Sequence, residues 1–121
     1  MMVVIGLGGI LGAITRYYLG RFIMERSRGV FPLGTWVINI TGSFLLGMLT
    51  FLHLQQYIPE WIWLSVGVGY LGSYTTFSTF GYETIQLIEK KNTLKAISYV
   101  LTTVIFGVLS AWLGMMLGHL V

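Results

Sequence analysis

Six hydroxyl side chains crowd into one short stretch of the sequence, flanked by glycines and phenylalanines. The stretch runs from Gly72 to Gly81 as GSYTTFSTFG. Small, polar and β-branched residues weaken a continuous helix. The spacing leaves two structures open: a helix broken at this point, or a continuous helix whose hydroxyls bond back to their own backbone. A break inside a membrane would free backbone groups that an ion can satisfy.

Two further polar stripes have helical spacing. Thr35, Asn39 and Ser43 follow one another at intervals of four, and so do Thr75, Thr79 and Glu83. Residues four apart share a helix face. A mid-membrane asparagine needs a partner, so Asn39 either makes a buried hydrogen bond between helices or points its N–H groups into an anion path.

Aromatic side chains accompany these stripes. Phe77 and Phe80 lie three apart, and a mixed stripe on the last apolar stretch contains Tyr99, Thr102, Thr103, Phe106 and Ser110. Phenylalanines at helical spacing usually pack. An aromatic ring also has a positive edge, so ring edges beside hydroxyls and an amide could face an anion.

One acid and one base lie well inside the apolar stretches. Intramembrane charges are functional candidates, and Glu83 is one, although it also lies near enough to a span end to snorkel. Arg16 is open to three interpretations: a counter-charge, an attractor of anions at a vestibule, or a snorkelling side chain.

Sites of other kinds are absent from the sequence. Gly67, Gly69 and Gly72 match the dinucleotide pattern GxGxxG, but no strand precedes them, so the match is spurious. There is no cysteine, and the two histidines are too far apart for a zinc site. No catalytic constellation and no basic cluster with interleaved aromatics occurs, so we expect neither an enzyme nor a nucleic-acid partner.

Composition places these residues in a membrane. Of 121 residues, 55% are hydrophobic and only 9% charged, against about 25% charged in soluble domains. A bilayer span needs roughly 20 apolar residues, and four stretches qualify: 2–23, 34–54, 61–88 and 96–121. We therefore predict one all-α membrane domain, 1–121, with four transmembrane helices and no cleavable leader.

The basic residues are distributed unevenly between the loops. Loops 24–33 and 89–95 share one side of the membrane, and six basic residues lie in or near them: Arg21, Arg26, Arg28, Lys90, Lys91 and Lys95. The positive-inside rule then places both termini outside. Four glycine-rich helices enclose little interior, so we also expect oligomerisation. The small-residue spacings Gly8–Gly12 and Ser110–Gly114–Gly118 predict close helix contacts.

Three motifs together give the sequence a resemblance over essentially its whole length. They are GGILGAITRY at 8–17, GTWVINITGSF at 34–44 and GSYTTFSTF at 72–80, followed by Glu83. With them the chain resembles the Fluc family of fluoride channels, the bacterial CrcB proteins. The resemblance implies a multi-pass protein of the cell (inner) membrane that lets fluoride leave the cytoplasm passively.

The resemblance also implies an assembly and a set of site residues. It implies an antiparallel, dual-topology homodimer with a broken third helix, two fluoride pores, and a central structural sodium ion held by the backbone carbonyls of Gly72 and Thr75. It places Arg16 at the vestibule and assigns to the fluoride pore Asn39, Phe77, Ser78, Thr79, Phe80, Glu83, Tyr99 and Ser110.

Two other functions are compatible with a small four-span chain. A transporter of the small multidrug-resistance type would need an acid within its first span, where this sequence has Arg16 instead. A non-transporting subunit would only pack against a larger complex. Liposome flux assays distinguish the three.

Overall fold

The computed structural model describes residues 2–27 and 31–120, and every regular element in those ranges is helical. Helix α1 is Met2–Arg26 and α2 is Leu33–Leu54. Helix α3 covers residues 60–74, and α4 and α5 are Ser78–Glu89 and Thr93–Leu120. Helices α1, α2 and α5 are each long and apolar enough to cross a bilayer without interruption.

The third predicted span is interrupted, which confirms a broken helix there and excludes the continuous alternative. Helix α3 ends at Tyr74 and α4 begins at Ser78. Between them the backbone of Thr75 is extended, with φ −78° and ψ 155°. The two pieces together occupy the place of the span predicted at 61–88.

Most of α3 is a π-helix, which the sequence did not predict. Glu60–Ile62 and Gly72–Tyr74 are α-helical, and Trp63–Leu71 between them is π-helical. Long π-helical runs are rare, and short ones are frequent at functional sites. Here the wide turns lead directly into the break.

Helix α1 extends beyond the apolar span predicted at 2–23 and continues to Arg26, so the first loop begins later than the predicted residue 24. The Nε of Arg21 donates to Oε1 of Glu25 at 3.1 Å, four residues on. The guanidinium of Arg26 lies 4.3 Å from the centre of the Phe22 ring. Such pairs, and a cation in the last turn, stabilise a helix end. Arg28, counted in the charge argument, lies outside the described residues.

The helices pack in two pairs, α1 along α3 and α2 along α5. The phenol of Tyr70 donates to the hydroxyl of Thr15 at 2.8 Å, which ties α3 to α1. The indole of Trp36 donates to the hydroxyl of Thr102 at 3.0 Å, which ties α2 to α5. The outer faces of α1 and α5 expose large apolar side chains, as expected for surfaces that lipid or another protein covers.

Glycines allow the close approach in both pairs, as the small-residue spacing predicts. A Cβ on Gly8 would collide with the carbonyl oxygen of Ser65, and one on Gly12 with that of Tyr70. On the other pair, a Cβ on Gly114 would collide with the carbonyl oxygen of Phe44. These obstacles are backbone atoms, which cannot rotate away.

Adding one methyl group at Gly12 is therefore expected to destabilise the protein by about 1–3 kcal/mol, the usual cost of overpacking. The matched control is Gly6→Ala on the same helix, where nothing lies within 4 Å of the added Cβ. Thermal unfolding in detergent measures both variants. Equal melting temperatures for Gly12→Ala and Gly6→Ala would show that α1 and α3 are not packed this closely.

Candidate functional site at the helix break

The side chain of Asn39 is bound to the backbone at the break. Its Nδ2 donates to the carbonyl oxygen of Thr76 at 2.9 Å, and its Oδ1 accepts from the N–H of Thr76 at 2.8 Å. One amide thus satisfies both backbone groups of a residue that has left the helix. Of the two roles considered for Asn39, a hydrogen bond to another segment is present and is part-buried, and one N–H remains for another partner.

The hydroxyl of Thr76 binds the backbone at the start of α4. Its Oγ1 accepts from the backbone N–H of Thr79 at 3.3 Å, as side chains do at helix N-termini. It also lies 3.5 Å from the hydroxyl of Ser78. Gly42 on α2 leaves room for this turn, because a Cβ there would collide with the methyl group of Thr75.

A cleft of about 310 Å³ opens on one side of the break. We call it the Asn39 cleft, and its lining consists of Asn39, Ser43, Leu46, Thr75, Thr76, Phe77, Phe80, Thr103 and Val104. The Oγ1 of Thr103 is buried and has no hydrogen-bond partner within residues 2–27 and 31–120. A buried polar atom without a partner calls for an explanation. A ligand in this cleft would supply one.

A second cleft, of about 420 Å³, opens on the other side of the break. We call it the Arg16 cleft, and its lining consists of Arg16, Tyr17, Gly20, Arg21, Met24, Thr35, Ile38, Thr76 and Thr79. Two arginines and three threonines supply positive charge and hydroxyls. Thr76 lines both clefts, so the break separates two polar recesses.

The predicted pore residues do not all lie in one cleft. Asn39, Phe77 and Phe80 line the Asn39 cleft, and Thr79 lines the Arg16 cleft with the predicted vestibule residue Arg16. The two phenylalanine rings lie 6.2 Å apart, and the ring of Phe77 is 84% exposed. Ser78 is exposed beside Thr76, and Glu83 and Tyr99 lie further along α4 and α5.

Tyr99 connects the phenylalanines to the acid. Its fully buried ring lies 5.0 Å from that of Phe80, and its phenol donates to Oε1 of Glu83 at 3.4 Å. Ser110 is half-buried on α5 and is not among the residues that line either cleft. Its role stays a prediction, and the α5 hydroxyl that the structure brings to the break is that of Thr103.

Among the cleft-lining residues that were not selected from the sequence are Thr76 and Thr103, although both lay in patterns that were noted. Thr76 belongs to the hydroxyl stretch and Thr103 to the stripe on the last span. Thr103 lies four residues after Tyr99, so the two share a helix face. The spacing from Tyr99 is the sequence signal by which Thr103 could have been selected.

In the described part of the chain no three His, Asp or Glu side chains come together to hold a metal ion. A cation at the break would therefore depend on backbone carbonyls, which are ligands suited to a hard cation. The predicted ligand residues fit this chemistry: Gly72 is exposed, and Thr75 is partly exposed and outside any helix.

Comparison of the sequence with known proteins places the chain in a family. Residues 3–115 match the family model described as CrcB-like protein, Camphor Resistance (CrcB). The chain belongs to the CrcB family. It is 46% identical over 118 residues to the fluoride-specific ion channel FluC 1 of Carboxydothermus hydrogenoformans, covering 98% of this chain and 93% of that one.

Two further CrcB relatives carry the same description. The fluoride-specific ion channel FluC 2 of Moorella thermoacetica is 44% identical over 110 residues, covering 91% of this chain and 89% of that one. The FluC 2 of Clostridium acetobutylicum is 42% identical over 116 residues, covering 96% of both chains. The family is one of ion channels and not of enzymes, and the chain is a multi-pass membrane protein, as the sequence predicts.

Proposed function

We propose that this protein is a fluoride channel whose ion path passes the break between α3 and α4. The observation that carries the proposal is the Asn39 cleft, in a CrcB protein whose relatives are named fluoride-specific ion channels. An amide, an unpartnered hydroxyl and two aromatic rings converge there. Ion channels commonly replace an ion's hydration shell with fixed groups of the protein.

The donors of this cleft suit a small anion. The second N–H of the Asn39 amide is not used by Thr76, and the hydroxyl of Thr103 has no partner in the described residues. The rings of Phe77 and Phe80 add edges of positive potential. A fluoride ion loses strong hydration on entry, and N–H, O–H and ring edges together compensate for it.

The Arg16 cleft is the proposed entrance. Arg16 is half-buried beside the break and raises the local concentration of anions. Thr76 lies in both clefts, and the hydroxyls of Ser78 and Thr79 continue towards Glu83 and Tyr99. Ser78, Thr79, Glu83 and Tyr99 are the proposed polar track beside the phenylalanines.

The proposed assembly is an antiparallel homodimer in the cell membrane, with two pores, a structural sodium ion at its centre and passive export of fluoride. The exposure of Phe77 and of Gly72 supports it, because a partner subunit would cover both. The sodium ligands would be the carbonyls of Gly72 and Thr75. Bound there, the ion would hold two subunits together through main-chain contacts alone.

The test of the proposed function is ion flux from liposomes that contain the purified protein. Fluoride efflux without chloride efflux is expected of the wild-type protein. Flux of neither anion, with the protein folded and inserted, would contradict the proposal.

Within the same assay, Phe80→Ile is expected to lower fluoride flux by about tenfold. That factor corresponds to about 1.4 kcal/mol, which is in the upper part of the range for aromatic edge contacts. Isoleucine keeps the apolar volume and removes the ring edge. Phe22→Ile is the matched control, because Phe22 lies on α1 beneath the guanidinium of Arg26 and lines neither cleft. Equal flux in the two variants would mean that the ring of Phe80 only packs.

A further inference from the structure

The break leaves four carbonyls at the end of α3 and in the residue after it without their helical donors. In a continuous helix the carbonyls of residues 72–75 would accept from the N–H groups of residues 76–79. Two of those N–H groups are bound elsewhere. The N–H of Thr76 donates to Oδ1 of Asn39 at 2.8 Å, and the N–H of Thr79 donates to Oγ1 of Thr76 at 3.3 Å.

In a continuous helix these two N–H groups would donate to the carbonyls of the proposed cation ligands. The N–H of Thr76 is the helical partner of the Gly72 carbonyl, and the N–H of Thr79 is that of the Thr75 carbonyl. Asn39 also fixes the Thr76 carbonyl at 2.9 Å, so the backbone cannot turn back into a helix without losing two hydrogen bonds.

We infer that the side chains of Asn39 and Thr76 are positioning residues that keep the carbonyls of Gly72 and Thr75 free for a monovalent hard cation. They do so by holding the competing N–H groups. Each subunit's half of the cation site is therefore formed before the ion binds. This inference rests on the proposed sodium site and adds the residues that preorganise it.

A neighbouring hydroxyl provides a contrast. The Oγ1 of Thr75 donates to the carbonyl of Leu71 at 3.0 Å, four residues back. This bond follows the ordinary course of a helical threonine and diverts no N–H group. Thr75 therefore contributes its carbonyl, whereas Thr76 contributes its side chain.

The test measures the sodium concentration that half-restores thermal stability after purification in sodium-free N-methylglucamine buffer. In Thr76→Val the N–H of Thr79 is released to bond with the Thr75 carbonyl, so the midpoint is expected to rise at least about tenfold, as the competent fraction falls. Thr76→Ser keeps the hydroxyl, and Thr50→Val removes a hydroxyl that bonds to the carbonyl of Leu46 within α2 and lines neither cleft. Both are expected to keep the wild-type midpoint.

The outcomes separate the existence of the cation site from the role of the two side chains. A wild-type protein whose stability does not depend on sodium would overturn the cation site itself, independently of fluoride flux. Sodium dependence in the wild type with an unchanged midpoint in Thr76→Val would overturn the role of the side chains. Thr76→Ala is measured alongside. If neither Thr76→Val nor Thr76→Ala folds, Thr76 is needed for the fold as a whole, which contradicts a role confined to the cation site.

Discussion

Fluoride flux is expected to fall by about three orders of magnitude when Asn39 is replaced by aspartate. Two unit charges about 4 Å apart interact by about 4 kcal/mol at an effective dielectric constant of 20, and each 1.4 kcal/mol is a factor of ten in occupancy. The carboxylate would repel the anion in the Asn39 cleft. It would also face the carbonyl of Thr76, to which the amide now donates at 2.9 Å.

The matched control is Asn92→Asp, the same change in the turn that joins α4 to α5. Asn92 precedes α5 and its carbonyl accepts from the N–H of Ala96 at 3.0 Å, and aspartate serves about as well as asparagine before a helix. Its flux should stay within about twofold of wild type, by the small effect of surface substitutions. A folded Asn39→Asp protein with wild-type flux would place Asn39 outside the ion path.

The spans were predictable because their signal is local. A run of roughly 20 apolar residues identifies a membrane helix whatever its neighbours are, and α1, α2 and α5 agree with the predicted spans to within a few residues. The extension of α1 beyond its predicted span has a side-chain cause. Glu25 and Arg26 look like loop residues by charge, yet their contacts with Arg21 and Phe22 extend the helix.

The break was not decidable from its own sequence, because hydroxyl residues in this chain behave in both ways. Thr41, Ser43 and Thr50 each bond to a carbonyl four residues back inside a helix. Thr76 instead meets Asn39, which lies 37 residues earlier in the chain. A contact between distant residues decides the conformation, and local spacing carries no information about it.

Local sequence also did not determine which hydroxyl of α5, that of Thr103 or that of Ser110, lies at the site. Helix α5 is apolar on most of its circumference, so periodicity does not say which face meets α2. The packing decides it, because Gly114 approaches Phe44 and the indole of Trp36 reaches Thr102. With that rotation Thr103 enters the lining of the Asn39 cleft.

Orientation in the membrane is the point on which sequence rules and family resemblance disagree. In the described residues the ends of α1 and α4 and the start of α5 carry Arg26, Lys90 and Lys95, whereas the turn after α2 carries no basic residue. The positive-inside rule therefore favours one orientation. An antiparallel homodimer needs both, and it would place one basic end on each face of the membrane.

We expect both orientations, because the pores and the cation site proposed above require oppositely inserted copies. A cysteine at Gln55 tests this, in a chain with no native cysteine. Gln55 is preferable to the neighbouring Gln56, whose φ of 60° makes substitution strained. In intact cells a membrane-impermeant thiol reagent should label about half of the Gln55→Cys copies. Glu89→Cys marks the opposite end without changing the basic residues, and it should label to the same extent. Labelling at only one of the two positions would mean that the charges set a single orientation, and the antiparallel dimer would be wrong for this chain.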